Sequence, residues 1–211
     1  MRMTELDRLK QDYVKIRPAI ESRLKEFTEI WRSGTDKALF KELVFCLFTP
    51  QSNAKSCWAS VESICGQDLL LHGAAEQVSA CMAGVRFHHT KAERVVEARK
   101  YLKGLKARLS GFGSASEARE WLVANVKGTS YKEAGHFLRN IGMGRDLAIL
   151  DRHILKNLVI LGIIPEIPKS ISQKKYLEIE EEMRQFCSRA EIPMDHLDML
   201  LWCRETGEIF K

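Results

Sequence analysis

Cysteine pairs at metal-binding spacing are missing from this sequence. Its six cysteines, Cys46, Cys57, Cys65, Cys81, Cys187 and Cys203, include no C-x-x-C pair, which argues against a structural zinc site. Cys46, Cys57 and Cys65 lie in helical apolar patterns and read as core thiols. No run of roughly eighteen apolar residues occurs, so no membrane span is expected. The opening segment, MRMTELDRLKQDY, has no apolar signal core, which points to an intracellular protein. Repeats and low-complexity tracts are absent. Strand patterning is confined to one short run, Asp146 to Leu150. Proline is scarce, and its five positions fall where helical patterns break: Pro18, Pro50, Pro165, Pro168 and Pro193.

What remains is helical. With 211 residues and 45% hydrophobic content, the chain can bury a core in one large domain or two small ones sharing a cleft. Net charge is +5, which permits a polyanionic partner without requiring one. Apolar spacing predicts helices at 4–16 and 18–32, a nearly all-apolar and hence buried helix at 37–48, and another at about 54–65. One or two short helices follow over 67–83. A long helix is expected at 91–108, then helices at 115–125, after Asp151, at 172–189 and after Pro193. From Arg86 to Arg108 there are eight Lys/Arg against two Asp/Glu. Arg99, Lys103 and Lys106 would share a face, either a solvated one or one that meets DNA. The acidic stretch Glu178 to Glu182 is expected to face away from such a partner.

One stretch organises the rest: VKGTSYKEAGHFLRNIGMGRDLAILD, Val126 to Asp151. A turn at Lys127 to Ser130 opens a helix near Lys132 that ends near Gly142. About ten helical residues climb roughly 15 Å, and five extended residues return roughly 16 Å. If the chain doubles back after Gly142, Asp151 arrives beside Lys132, both at helix N-termini with outward N–H groups. An amine, a carboxylate and donors for an anion suit attack on a sugar carbon next to a phosphate. Lysine in a first helical turn is more usually solvated, and aspartate before a helix is more usually an ordinary N-cap.

The pattern VKGTSYKEA, with Asp151 nineteen residues after Lys132, resembles the helix-hairpin-helix DNA glycosylases. GVRFHHTKAERVVEARK, GTSYKEAGHFLRNIG, ILDRHIL and LDMLLWCRETGEIFK narrow the resemblance to the archaeal-type 8-oxoguanine DNA glycosylase/AP lyases. The resemblance implies an all-α fold of two lobes. A helical lobe over 34–144 would end in the hairpin, 1–33 with 145–211 would form the other, and the active site would lie between them. It implies Lys132 as nucleophile and Asp151 as its partner. Phe87 and Trp202 would stack on the base, and Phe210 and Lys211 would help read it. Gly128, Ser130, Arg152 and His153 would contact the DNA backbone, and Gln51 would fill the gap left by the extruded base. From the residues alone, Gln51 fits a turn before a helix cap, His153 a buried polar group, Trp202 either a core residue or a base-stacking one, and Lys211 a frayed end.

Some relatives carry a C-terminal four-cysteine iron–sulfur loop; only Cys187 and Cys203 lie there, so no cluster, metal or cofactor is expected. One departure stands out: Ser130 occupies the hairpin's second glycine position, where a positive φ would cost serine about 1 kcal/mol. The resemblance implies a monomeric repair enzyme in a prokaryotic cytoplasm, acting on double-stranded DNA containing 8-oxoguanine. Its chemistry would be Schiff-base formation followed by β-elimination. A glycosylase for another lesion, or a non-catalytic helix-hairpin-helix DNA-binding module, stays open at this point.

Overall fold

The computed structural model describes residues 4–211; residues 1–3, part of the expected second lobe, lie outside it. Twelve α-helices form and no strand does among the described residues. The first is a single helix, α1 (Glu5–Ser33), rather than the two expected on either side of Pro18. Its start is fixed by a capping box, with the Asp7 N–H donating to the Thr4 hydroxyl and the Thr4 N–H to the Asp7 carboxylate. Pro18 is tolerated because it sits on the solvent side. The carbonyl it leaves unpaired belongs to Val14, itself 73% exposed, so water can satisfy it.

α2 (Asp36–Phe48) is the buried helix expected, and it packs on α3 (Ala54–Gly66). Two short helices, α4 (Leu69–His72) and α5 (Ala75–Ala80), lead to α6 (His88–Ala98). The expected long basic helix at 91–108 does not form. After α6 comes a single 3-10 turn, Arg99–Tyr101, then Gly104 at φ 78°, then α7 (Leu105–Ser110). Asp36 takes the N–H groups of Gly104 and Lys106 at 2.8 Å each, which stabilises the break. Two of its three named cations, Arg99 and Lys106, are engaged within the protein, and Lys103 is exposed. The Arg99 guanidinium turns inward onto the carbonyls of Leu69, Leu70 and Gly73 at the end of α4. Lys106 reaches the carbonyls of Arg32 and Gly34 at the end of α1. Both complete helix C-termini, where cations are favoured.

The hairpin joins α8 (Ala115–Asn125) to α9 (Tyr131–Asn140), and the return segment leads to α10 (Arg152–Ile160). α10 stops before Pro165 and Pro168. Gly162, at φ 67°, turns the chain so that the Ile163 N–H closes onto the Leu158 carbonyl. α11 (Gln173–Ala190) and α12 (Met194–Thr206) complete the fold. The acidic stretch of α11 is not all solvated. Glu180 points inward and receives both arms of Arg119 from α8, at 2.6 and 2.9 Å.

Two apolar cores result. One gathers buried residues from Leu39 to Leu147, centred on α2. The other combines Leu9, Tyr13, Ile20 and Phe27 of α1 with Ala148 to Leu201, and takes Tyr131 from α9. α9 therefore sits between the cores.

Candidate active site

The hairpin is shaped by glycine at one position only. Gly128 has φ 91°, and a Cβ there would lie 2.5 Å from the Arg94 side chain that crosses it. Ser130 has φ −109° and ψ −176°, extended backbone open to any residue. The strain expected from serine at this position is therefore absent. Instead Ser130 caps α9: its N–H donates to Glu133 at 3.1 Å, and its hydroxyl bonds the same carboxylate. That N–H is thus already engaged within the protein.

Lys132 follows in the first turn of α9. Its ammonium donates to the Thr49 hydroxyl at 3.1 Å and lies 3.5 Å from Glu133 Oε1, and its side chain is 19% exposed. Thr49 is buried and gives its own proton to the Cys46 carbonyl, so it can only accept from Lys132.

The chain does double back. Gly142, at φ 79°, packs so close to α1 that a Cβ would sit 2.7 Å from Thr28 Cα, and one at Gly144 would meet the Arg139 nitrogen at 2.6 Å. The return segment runs against α9 at Gly135, where a Cβ would lie 2.9 Å from the Ala148 oxygen. This segment pairs with no strand; side chains satisfy its backbone instead. The Ala148 N–H donates to Glu180 at 2.8 Å. The Tyr176 hydroxyl donates to the Ala148 carbonyl at 2.7 Å and accepts from the Leu150 N–H at 3.2 Å. Asp151 then caps α10, its Oδ1 accepting from the His153 and Ile154 N–H groups at 2.8 Å each.

Lys132 and Asp151 line one cleft of about 1020 Å³, together with Gln51, Arg152, His153, Trp202, Phe210 and Lys211. They form no direct ion pair among the described residues. Trp202 presents a ring edge-on to His153, with centroids 5.4 Å apart, and its buried Nε1 has no protein partner among the described residues. His153 is braced by Glu205, which also takes Lys156 and Asn157. Arg152 and Gln51 are exposed, and Gln51 sits at φ 56°.

The tail is ordered by its apolar pair: Phe210 packs on the first core and Ile209 on the second. Lys211 does not fray. Its ammonium binds Glu42 at 2.6 Å and lies 3.8 Å above the Trp58 ring. Burial lowers its pKa, while Glu42 opposes that shift. Phe87 stands apart. It is 57% exposed, held at φ 58° in the turn before α6, and outside the cleft lining, although neighbouring Arg86 belongs to it. Gly128 and Ser130 likewise lie away from the lining.

Sequence reasoning missed the polar floor. His136, Arg139 and Asp198 all line the cleft. His136 is buried; burial above all, then the charges of Arg139 and Lys132, hold its pKa well below the ordinary value. Asp198 pairs with Arg139 at 3.2 Å. Burial raises its pKa to about 6, with Arg139 opposing and the Asp151 and Asp195 charges adding to it. The available signal was polar residues on otherwise apolar helix faces, in FLRN of α9 and LDMLL of α12.

Comparison with known proteins adds independent findings. A family described as "8-oxoguanine DNA glycosylase" matches residues 20–192. A protein from Fusobacterium nucleatum named 8-oxoguanine DNA glycosylase/AP lyase is 47% identical, over 94% of this chain and 94% of its own. One of the same name from Korarchaeum cryptofilum is 42% identical over 93% of this chain and 92% of its own. Among solved structures, the Methanocaldococcus jannaschii 8-oxoguanine glycosylase/lyase in complex with DNA containing 8-oxoguanine superposes with a TM-score of 0.91 at 34% identity. That match covers 98% of this chain and 99% of the other.

Proposed function

The chain belongs to the 8-oxoguanine DNA glycosylase family, and on that premise we propose that Lys132 is its nucleophile and Asp151 the carboxylate that works with it. The protein is a bifunctional base-excision repair enzyme, a DNA glycosylase and AP lyase for 8-oxoguanine. It binds DNA and acts as a single chain on duplexes that carry the lesion. The two cores are read as two lobes, 34–144 and 1–33 with 145–211, that grip the duplex across the cleft.

The damaged nucleotide swings out of the stack into the cleft. Lys132 Nζ, as the free amine, attacks C1′ while the N-glycosidic bond breaks and the base leaves with the bonding electrons. Asp151 stabilises the positive charge that develops on the sugar. Ring opening gives a Schiff base between Nζ and C1′. Loss of a proton from C2′ then expels the 3′ phosphate by β-elimination, which cuts the strand. Trp202 stacks on the extruded base, Phe87 closes on its other face from the rim, and Phe210 and Lys211 supply the edge contacts. Arg152, His153 and the Gly128 and Ser130 turn hold backbone phosphates. Gln51, pushed out by its left-handed backbone, fills the space the base vacates.

The observation that carries this reading is one cleft containing a half-buried amine at a helix N-terminus, a carboxylate capping the next helix, and an indole with an unpartnered N–H. Borohydride trapping on an 8-oxoguanine duplex tests it. Lys132→Gln abolishes the trapped adduct while leaving the fold and DNA affinity in place. Undiminished trapping in that variant assigns the chemistry to another amine.

A further inference from the structure

Lys91 has no place in the chemistry just described, yet it is almost completely buried, at 2% exposure. Its ammonium donates to the carbonyls of Phe48 and Pro50, both at 2.7 Å, and to the Ser52 hydroxyl at 3.1 Å. An ammonium has three protons, and these three oxygens use all of them. No carboxylate pairs with it among the described residues, so its work is hydrogen bonding rather than charge neutralisation.

The oxygens it holds belong to one structure, the turn that follows α2. Phe48 is the last residue of α2, where carbonyls run out of helical donors. Pro50 has no N–H to offer the turn, and Gln51 is in the left-handed region. Nearby donors close it only in part: the Ser52 N–H reaches the Thr49 carbonyl at 3.0 Å, the Ser52 hydroxyl the Pro50 carbonyl at 3.4 Å, and the Cys57 thiol the Phe48 carbonyl at 3.2 Å. Lys91, from α6, ties the Phe48 and Pro50 carbonyls and the Ser52 hydroxyl to one ammonium. Ser52 is secured further by the Arg86 N–H at 3.0 Å.

The turn carries the residue that touches the reacting amine. Thr49 lies between Phe48 and Pro50, both held by Lys91, and its hydroxyl accepts from Lys132 Nζ. Because the Thr49 proton goes to the Cys46 carbonyl, the direction of the Lys132 contact is set. One N–H of the amine is tied to Thr49, and rotation about the Cε–Nζ bond is restricted. The nitrogen lone pair is thereby confined to directions away from Thr49.

We propose that Lys91 is a positioning residue for the nucleophile: it clamps the 48–52 turn so that Thr49 orients the Lys132 amine for attack. This inference rests on Lys132 being the nucleophile. Single-turnover borohydride trapping on a duplex with a preformed abasic site tests it, with protein in saturating excess and at a temperature where every variant is folded by circular dichroism. Lys91→Met and Thr49→Val each slow trapping by about tenfold or more, as misplacement of a reacting group does, while the DNA dissociation constant stays within about threefold. Thr49→Ser, which keeps the hydroxyl, restores the rate. The double variant Lys91→Met/Thr49→Val is no slower than the slower single variant, because both act through one contact.

Multiplied losses in the double variant, or wild-type trapping by Lys91→Met, overturn the proposal. Should Lys91→Met not fold, wild-type trapping by Thr49→Val overturns it equally. Trapping that persists in Lys132→Gln defeats the nucleophile reading itself. Silence in Lys132→Gln beside normal trapping in Lys91→Met defeats only the role of Lys91.

Discussion

Tyr176→Phe removes one oxygen atom outside the cleft lining, and its consequence can be worked out from the return segment. The Tyr176 hydroxyl donates to the Ala148 carbonyl at 2.7 Å and accepts from the Leu150 N–H at 3.2 Å. Ala148, Leu150 and Tyr176 are all buried, so water cannot replace it without opening the core. Two backbone groups lose their partner at once. At about 1–3 kcal/mol for each buried unsatisfied group, the loss is roughly 2–4 kcal/mol after partial relaxation. For a chain of this size that corresponds to a fall in Tm of about 5–15 °C. Thermal unfolding followed by far-UV circular dichroism reads it directly. Asp151 follows Leu150, so the loosened segment also lets the carboxylate drift. Single-turnover excision of 8-oxoguanine, measured well below the variant's Tm, is expected to fall by about tenfold or more. A Tm within about 1 °C of wild type would show that the Tyr176 contacts do not seal the segment. A lower Tm with unchanged excision would show that the segment stabilises the fold without positioning Asp151.

Three further outcomes follow from the site. Asp151→Asn retains a side-chain oxygen to cap α10, so Tm stays near wild type while excision drops by several orders of magnitude; Asp146→Asn, on the exposed turn, leaves excision intact, and equal losses in both would refute the assignment. Deleting Phe210 and Lys211 cuts excision of 8-oxoguanine far more than cleavage at a preformed abasic site, which has no base to read, and equal losses in an oligonucleotide assay would move the reader elsewhere. Asp198 has a folded pKa of about 6 against an ordinary 3.8, so the folded state binds its proton more tightly than the unfolded state. The stability penalty of ionising it is absent below 3.8 and fully present above about 6. Asp198→Asn removes that term, so between pH 5 and pH 7.5, where about 6 is the governing pKa, the wild-type Tm falls relative to the variant's as pH rises; parallel curves would refute it.

Most of the helices and the hairpin were legible because they depend on local signals. The α8 to α9 junction follows from capping residues and apolar spacing, and matching chain lengths bring Asp151 beside Lys132 once the chain reverses after Gly142. What failed was local inference at places where distant side chains decide. Nothing near Arg99 or Lys106 announces that α4 and α1 end close by and need donors, so half-buried braces read as part of a basic face. Ser130 looked strained because the glycine it replaces was assumed to need positive φ, whereas the observed backbone is extended.

The sequence by itself determined that an amine and a carboxylate would open successive helices, since a lysine after the hairpin and a capping aspartate are statements about neighbours in the chain. Only the tertiary structure decided what surrounds them. Thr49 meets Lys132 across 83 positions, Lys211 meets Glu42 across 169, and Glu180 holds the Ala148 amide across 32. Such contacts leave no periodic trace, because each joins one residue to one partner through space. Their energy comes from burying polar groups that must then be paired, a demand that exists only once the helices have packed.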